Sequence, residues 1–241
     1  MNILAIGNSF SEDALRYLHG IARADGKKVE TVNLYIGGCS LERHFRNMMS
    51  EERAYTLQYN GSSTGFPVSI KEALLNRKWD VITVQQVSHS SACAESYFPF
   101  ATELAAYVRR YAPTAKLYVH RTWAYEEGSV RLRETARFDT AREMLDAVTN
   151  AYSILEREIG ADGYIPSGEL MMSLLDSGIE RVHRDTFHAS YGLGRYALGL
   201  LWYRILCGGD VESNTFCDLD EPISDENMLI AKSAVSRLCV D

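Results

Sequence analysis

The sequence predicts an α/β fold, a three-layer α/β/α sandwich built on a five-stranded parallel sheet. Two kinds of apolar segment alternate along the chain: short runs typical of buried strands, and longer runs with helical spacing. This alternation indicates parallel strands joined by helices. A length of 241 residues with 46% hydrophobic residues is sufficient for one substantial core. We therefore expect a single domain over residues 1–241.

Five strand-like runs supply the predicted sheet. Each is short and apolar, and turn residues follow it. The runs are Ile3–Ile6, Val29–Leu34, Val81–Val84, Leu117–His120 and Gly163–Ile165. We predict the flavodoxin-like strand order 2-1-3-4-5, in which the first strand is central. The carboxyl ends of all five strands then lie at one edge of the sheet.

Helical runs lie between and after these strands. Their apolar residues recur at intervals of three and four, which places them on one face of a helix. The predicted helices are Ala14–Ala22, Leu41–Met48, Ser69–Asn76, Ala101–Tyr111, Thr140–Ile159, Tyr191–Leu206 and Met228–Leu238. One stretch departs from the alternation. Residues Ala54–Gly61 have the period of a strand and end in a turn signal, which predicts an inserted strand or hairpin.

The composition argues against several classes of function. The formal net charge is −7 and the basic residues are scattered among acidic ones, so we predict no nucleic-acid partner. The five cysteines contain no Cys-x-x-Cys pair, which indicates reduced thiols and no zinc site. Strand residues directly follow Met1 and Asn2, without a signal-peptide or membrane-spanning pattern, so we expect a cytoplasmic protein with no membrane partner. We predict no metal and no cofactor.

The first predicted strand ends at a serine. Ile3–Ile6 leads through a Gly-Asn turn to Ser9, at the edge where α/β proteins bind ligands. A serine acts as a nucleophile when a base takes its proton and a third group orients that base. Asp185 and His188, three residues apart, supply such a pair. The alternative is that Ser9 is an ordinary turn or N-cap residue and that the Asp/His pair lies at a helix start on the surface.

Two further loops at the predicted carboxyl edge contain hydrogen-bond donors for an oxyanion. Gly37 and Gly38 follow the second strand, and glycine lets the N–H of Gly38 approach an oxygen closely. Gln85 and Gln86 follow the third strand. We predict an oxyanion hole formed by Ser9, Gly38 and Gln85, with Gln86 as the alternative to Gln85. The simpler interpretations are a tight turn for the glycines and a loop amide for the glutamine.

Polar and aromatic residues near these loops are candidates for substrate binding. Gln86 and Ser88 belong to the polar segment after the third strand, and Trp123 and Tyr125 follow the fourth. Aromatic rings pack well against the apolar face of a sugar, so Trp123 and Tyr125 predict a wall for a carbohydrate. The alternative is that both rings are packed within a lid.

The order of these segments resembles that of the SGNH (GDSL-like) hydrolases. In that superfamily the first block holds a serine, the second a glycine, the third an asparagine and the fifth an Asp-x-x-His sequence. The resemblance implies that Ser9 is the nucleophile, Gly38 an oxyanion donor, Asp185 the orienting acid and His188 the base. Within the superfamily, the Gly-Asn-Ser-Phe first block and the Gln-Gln-x-Ser third block look most like a family of uncharacterised bacterial proteins.

Two positions depart from the superfamily pattern. Asn8 stands where an aspartate usually precedes the serine, and Gln85 stands in place of the asparagine. The predicted function is that of a serine esterase that hydrolyses an O-acyl ester. We expect an acetylated carbohydrate as its substrate, because the resembled superfamily includes carbohydrate O-acetylesterases. The alternatives are a non-catalytic module that binds a phosphate or a sugar, and a thioesterase, lipid esterase or peptide-like acyl hydrolase with the same triad.

Overall fold

The computed structural model describes residues 1–239 and contains a seven-stranded sheet with helices on both faces. The strands are β1 (Asn2–Ile6), β2 (Glu30–Tyr35), β3 (Tyr55–Tyr59), β4 (Ser62–Val68), β5 (Val81–Val84), β6 (Lys116–Arg121) and β7 (Gly163–Pro166). The helices are α1 (Ser9–Leu15), α2 (Leu18–Ala24), α3 (Leu41–Ser50), α4 (Ile70–Asn76), α5 (Phe100–Tyr111), α6 (Ala141–Ile159), α7 (Ser167–Asp176), α8 (Leu193–Cys207) and α9 (Asp225–Leu238). Shorter helical segments are Ser88–Ser90, Ala94–Tyr97 and the π-helix Arg131–Ala136.

The sheet is mixed, with the order β4-β3-β2-β1-β5-β6-β7. The strands β2, β1, β5, β6 and β7 are parallel, whereas β3 and β4 form an antiparallel hairpin against β2. The predicted α/β class is confirmed, but the expected five-stranded parallel sheet is corrected to seven mixed strands. The added hairpin turns at Asn60 and Gly61, which have φ angles of 48° and 76°. It covers the edge of β2, whose backbone groups would otherwise be unpaired.

Alternation along the strands divides the core into two parts. In β1, Leu4 and Ile6 pack with residues of α3–α6, whereas Ile3 and Ala5 pack with residues of α1, α2 and α7–α9. All four side chains are fully buried, as is typical of a central parallel strand. Within residues 1–239, none of the helices has both the length and the apolar character needed to cross a bilayer.

The first helical segment differs from its prediction. The spacing of apolar residues predicts one helix over Ala14–Ala22, but the chain forms α1 and α2 with a break between Leu15 and Leu18. Helix α1 also begins earlier, at Ser9, because the side chain of Asn8 accepts a hydrogen bond from the N–H of Phe10 and caps the helix. Ser9 is therefore the first residue of a helix that begins beyond the carboxyl end of β1.

Candidate active site

The structure brings Ser9, His188 and Asp185 together. Ser9 Oγ lies 2.9 Å from His188 Nε2, and His188 Nδ1 lies 2.8 Å from Asp185 Oδ2. The backbone N–H of His188 also donates to Asp185 Oδ1 at 2.9 Å. Ser9 and His188 line a cavity of about 270 Å³. The other residues that line it are Asn8, Phe10, Tyr35, Gly37, Gly38, Val87, Ser88, His89, Arg131 and Phe187.

Asn8 holds the turn that presents Ser9. Its Oδ1 accepts the Phe10 N–H at 3.0 Å, and its Nδ2 donates to the carbonyl oxygen of Cys39 at 3.0 Å. Its own N–H donates to Ser11 Oγ at 3.0 Å. Asn8 is buried, so these bonds satisfy polar groups that water cannot reach. The asparagine amide supplies both the donor and the acceptor that this environment requires, whereas an aspartate would place a second oxygen against the carbonyl oxygen of Cys39.

Two glycines shape the loops around Ser9. A Cβ atom on Gly7 would overlap Ser11 Oγ, so only glycine leaves room for the Ser11 side chain in this turn. Gly38 has a φ of 63°, in the left-handed region, while no atom lies within 4 Å of its would-be Cβ position. The requirement for glycine at Gly38 is therefore conformational rather than steric.

The loop that carries the Asp/His pair is tethered on one side by the segment after β6. Trp123 Nε1 donates to the carbonyl oxygen of Phe187 at 2.7 Å, and the N–H of Glu126 donates to the carbonyl oxygen of Thr186 at 2.8 Å. Thr186 has a φ of 74°. A β-branched residue adopts this conformation only where its surroundings enforce it. The two tethers supply that constraint.

A buried ion network connects the same loop to α1. The carboxylate of Asp13 is fully buried and accepts Arg184 Nη1 at 2.9 and 3.0 Å, Arg195 Nε at 2.8 Å and the N–H of Ala189 at 3.1 Å. Asp13 lies one helical turn after Ser9. Because Arg184 and Ala189 flank the Asp/His pair, this network fixes the position of the loop relative to the Ser9 helix.

The Asp185–His188 contact favours an ionised carboxylate. Partial burial would raise the pKa of the Asp185 carboxyl, but the hydrogen bonds from the ring and backbone N–H of His188 outweigh it, and the pKa lies below its ordinary value. A carboxylate facing Nδ1 stabilises the imidazole tautomer with hydrogen on Nδ1. The lone pair of His188 Nε2 is then available to accept the Ser9 hydroxyl proton.

The expected crevice-facing position of Gln85 is corrected to a buried one. Gln85 Nε2 donates to Asn8 Oδ1 at 2.8 Å, and Gln85 Oε1 lies 2.7 Å from His120 Nδ1. Burial lowers the pKa of His120 to about 3, so its ring is neutral, with Nδ1–H as the donor and Nε2 3.0 Å from Ser167 Oγ. Both ends of the Gln85 amide are therefore occupied beneath Asn8, and Gln85 does not line the cavity.

Gln86 is also buried and bound to the protein. Its Oε1 accepts the N–H groups of Leu41 and Val87 at 2.9 and 2.8 Å, and its Nε2 donates to Ser96. This side chain joins the start of α3 to the loop after β5. The position expected for Gln86, in contact with substrate, is therefore corrected as well.

The predicted aromatic wall is not formed. Trp123 is fully buried and stacks on Phe10, with ring centroids 4.0 Å apart and planes inclined by 3°. Tyr125 is also buried, and its hydroxyl lies 3.0 Å from Ser88 Oγ. Both rings contact the Asp/His loop at Phe187: Trp123 donates to its carbonyl oxygen, and Tyr125 packs edge-on against its ring. Ser88 itself lines the cavity, where it was expected.

The structure adds cavity residues that the sequence analysis did not single out. Tyr35, His89, Arg131 and Phe187 all line the cavity beside Ser9. No periodic pattern distinguishes Arg131, which begins an irregular π-helix. Within residues 1–239, no group of three or more His, Cys, Asp or Glu side chains is arranged to hold a metal ion.

Solved structures share this fold. A DUF4886 family protein from Bacteroides uniformis is 32% identical to this chain, with a TM-score of 0.92 over 98% of this chain and 93% of that chain. A proposed SGNH hydrolase from Slackia heliotrinireducens is 20% identical, with a TM-score of 0.59 over 86% of this chain and 98% of that chain. A mutant acetyl-xylooligosaccharide esterase from Geobacillus Stearmophilus is 13% identical, with a TM-score of 0.54 over 84% of this chain and 92% of that chain. The last two show that the fold of this chain is shared with structures of low sequence identity.

The family of the chain follows from its sequence as well as its fold. No curated protein matches the sequence. The model of a family described as "Domain of unknown function (DUF4886)" matches residues 2–237. Assignment to the particular Gly-Asn-Ser-Phe group of SGNH-like proteins stays a prediction. Because the match extends over nearly the whole chain, this protein belongs to the DUF4886 family.

Proposed function

We propose that this protein is a serine hydrolase of ester bonds, in which Ser9 is the nucleophile, His188 the general base and acid, and Asp185 the orienting group. The observation that carries the proposal is the chain of hydrogen bonds from Ser9 Oγ to His188 Nε2 at 2.9 Å and from His188 Nδ1 to Asp185 at 2.8 Å. These lengths are within the reach that proton transfer requires. A fold shared with an acetyl-xylooligosaccharide esterase adds support.

In the proposed reaction, Ser9 Oγ adds to the carbonyl carbon of the ester while its proton passes to His188 Nε2. The tetrahedral intermediate then collapses, and the leaving alcohol takes that proton from His188. Water attacks the resulting acyl-serine, again with His188 as the base, and the acid product departs as Ser9 regains its proton. The carboxylate of Asp185 stabilises the imidazolium that forms twice during the cycle.

Three donors are proposed for the oxyanion: the N–H groups of Ser9 and Gly38, and the Ser88 hydroxyl in place of Gln85. Burial raises the pKa of Tyr125, which keeps its hydroxyl protonated and able to donate to Ser88 Oγ. The Ser88 hydroxyl hydrogen is then available to an oxygen in the cavity. Loss of one oxyanion donor typically costs about 2.7–4 kcal/mol of transition-state stabilisation.

A small acyl ester is the substrate class that fits a cavity of about 270 Å³. An acetylated carbohydrate remains our first choice, supported by the acetyl-xylooligosaccharide esterase among the structures of this fold. The burial of Trp123 and Tyr125 removes the stacking argument for a sugar, so contacts with it would have to come from exposed cavity residues such as His89.

Covalent labelling by a fluorophosphonate, followed by mass mapping of the modified peptide, tests the proposal. We expect one label, on Ser9, and none in the Ser9→Ala variant. Ser9→Ala and His188→Ala should each lower the turnover of para-nitrophenyl acetate by at least about 10³-fold, and the double variant should lose little more, because the two residues act as a unit.

Ser63→Ala is the matched control, because Ser63 is exposed on β4 and does not line the cavity. It should be labelled like the wild-type protein. Labelling of Ser9→Ala at an undiminished rate, or near-normal turnover by His188→Ala, would contradict the mechanism. A wild-type protein that is neither labelled nor able to hydrolyse esters would favour a non-catalytic binding module.

A further inference from the structure

We propose that the ester hydrolysed at this site also carries an anionic group away from the reacting carbonyl, a carboxylate in the first instance, and that Arg131 binds this group. The inference rests on the proposed esterase function and narrows its substrate class. Arg131 would act as a specificity-determining residue and would take no part in the proton transfers.

The charge of the cavity is the first observation. Of the described residues that line it, Arg131 alone carries a permanent charge, and no lining residue is an aspartate or a glutamate. The chain as a whole has a formal net charge of −7. A single cation in the same cavity as the nucleophile therefore differs in sign from the net charge of the protein, and it attracts an anionic ligand.

The orientation of Arg131 is the second observation. Its guanidinium carbon lies 4.0 Å from the centroid of the Phe187 ring and 5.8 Å from that of Tyr125. The Phe187 ring in turn lies 3.8 Å, centroid to centroid, from the His188 ring. Stacking on an aromatic ring restrains a guanidinium group without using its edge N–H donors. The Tyr125 hydroxyl is in hydrogen-bond contact with Arg131, and the donors that it does not use are available to a ligand. The cation thus contacts the ring that in turn contacts the proposed general base.

The third observation is that Arg131 has no carboxylate partner. Over residues 1–239, every ion pair of an arginine with an aspartate or glutamate involves another arginine. Arg131 is nevertheless half-buried at the cavity wall. A guanidinium in such a place binds a planar carboxylate through two parallel hydrogen bonds, and sulfate or phosphate oxygens by the same chemistry.

Two matched pairs of esters test the inference. In one pair the charge is on the alcohol side of the ester, and the charged para-acetoxybenzoate is compared with the neutral para-acetoxybenzamide. In the other pair the charge is on the acyl side, and the para-nitrophenyl monoester of glutaric acid is compared with the ester in which the free carboxylate is replaced by a carboxamide. The Ser9→Ala variant provides the background rate for each ester, because a free carboxylate also attacks its own ester. The measured quantity is the ratio of kcat/KM for the charged ester to that for its amide.

We expect this ratio to be about tenfold or more in one of the two pairs, and that pair identifies the side on which the anion lies. Arg131→Gln should lower the ratio by about tenfold, and Arg131→Lys should retain part of it. Arg133→Gln is the matched control, because Arg133 belongs to the same π-helix, is exposed and does not line the cavity. It should leave the ratio unchanged.

The outcomes separate the two proposals. Wild-type ratios near one in both pairs would overturn the inference and leave the esterase proposal standing. Equal loss of activity on the charged and neutral esters in Arg131→Gln would also overturn it, because Arg131 would then support the fold of the site and not the charge of the substrate. Failure of the wild-type protein to hydrolyse any of the four esters would overturn the proposed function, and the inference with it.

Discussion

Replacing Asp13 with asparagine should destabilise the whole protein and displace the Asp/His loop. Asp13 is fully buried, and its carboxylate accepts four hydrogen bonds, three from Arg184 and Arg195 and one from the N–H of Ala189. Asparagine retains one oxygen and turns an NH₂ group toward these donors. Both guanidinium groups would then lose a buried counter-charge.

The magnitude follows from burial. Removal of one partner from a buried ion pair typically costs about 3–5 kcal/mol, because the remaining charge is left uncompensated. Arg195 retains a second partner, since its Nη1 donates to Asp220 at 2.9 Å, so we expect Asp13→Asn to lower the free energy of unfolding by about 3 kcal/mol. That is a large fraction of the roughly 5–15 kcal/mol typical of a folded domain.

Urea unfolding followed by tryptophan fluorescence measures the stability, and the rate of fluorophosphonate labelling at Ser9 reports on the site. Asp176→Asn is the matched control. Asp176 also accepts two hydrogen bonds from one arginine, Arg142, at 2.8 and 2.9 Å, but its side chain is 59% exposed. An exposed pair contributes about 0–1 kcal/mol, so the control should unfold almost like the wild-type protein.

Two results would refute this reasoning. If Asp13→Asn and Asp176→Asn lowered the stability equally, the buried network would contribute no more than a surface ion pair. If Asp13→Asn were destabilised as expected but were labelled at the wild-type rate in its folded state, the network would stabilise the fold without positioning the Asp/His loop.

Two further predictions concern pH and Trp123. Burial lowers the pKa values of His44 and His120 to about 3, whereas an unfolded histidine titrates near 6.5, so the unfolded chain binds more protons in acid. The stability contributed by the neutral, buried histidines is complete above about pH 6.5 and is lost as the pH falls toward 3, by about 1.4 kcal/mol per pH unit for each histidine. The free energy of unfolding of His44→Gln, measured in urea, should therefore fall less steeply with decreasing pH than that of the wild-type protein. Equal slopes would contradict the lowered pKa of His44. Trp123→Phe should lower the free energy of unfolding by about 1–3 kcal/mol, because Trp123 stacks on Phe10 in the core. Because Trp123 does not contact the substrate, the variant should lower kcat/KM for an acetylated oligosaccharide and for para-nitrophenyl acetate in the same proportion. A selective loss on the oligosaccharide would restore the sugar-wall hypothesis.

The parallel strands and the position of Ser9 beyond the end of β1 could be predicted from local patterns. Alternating strand and helix periodicities indicate parallel strands, whose carboxyl ends share one edge. Any loop that follows such a strand is therefore directed to the same crevice, whatever its distance along the chain. Asp185 and His188 follow α7 and not a strand, so that argument does not place them. Their three-residue spacing puts both side chains in one short loop, and the meeting of that loop with Ser9 was expected from the order of segments, which resembles that of the SGNH hydrolases.

The hairpin of β3 and β4 was only partly predictable. The period of two in residues 54–61 and the turn at Asn60 and Gly61 indicated an extra strand or hairpin. They did not show that it would join the sheet, because pairing with β2 depends on an edge that exists only once the parallel strands have assembled.

The burial of Gln85 and Trp123 was decided by the tertiary structure, and so was the position of Arg131 at the cavity wall. A pattern of apolar residues assigns faces within a strand, but it says nothing of a side chain just beyond the strand end. Gln85 turns inward because His120, 35 residues away, donates to its oxygen, and Trp123 is covered because Phe187, 64 residues away, accepts its N–H. Burial of a polar atom is determined by the partner that satisfies it, and in both cases that partner lies in a distant segment of the chain.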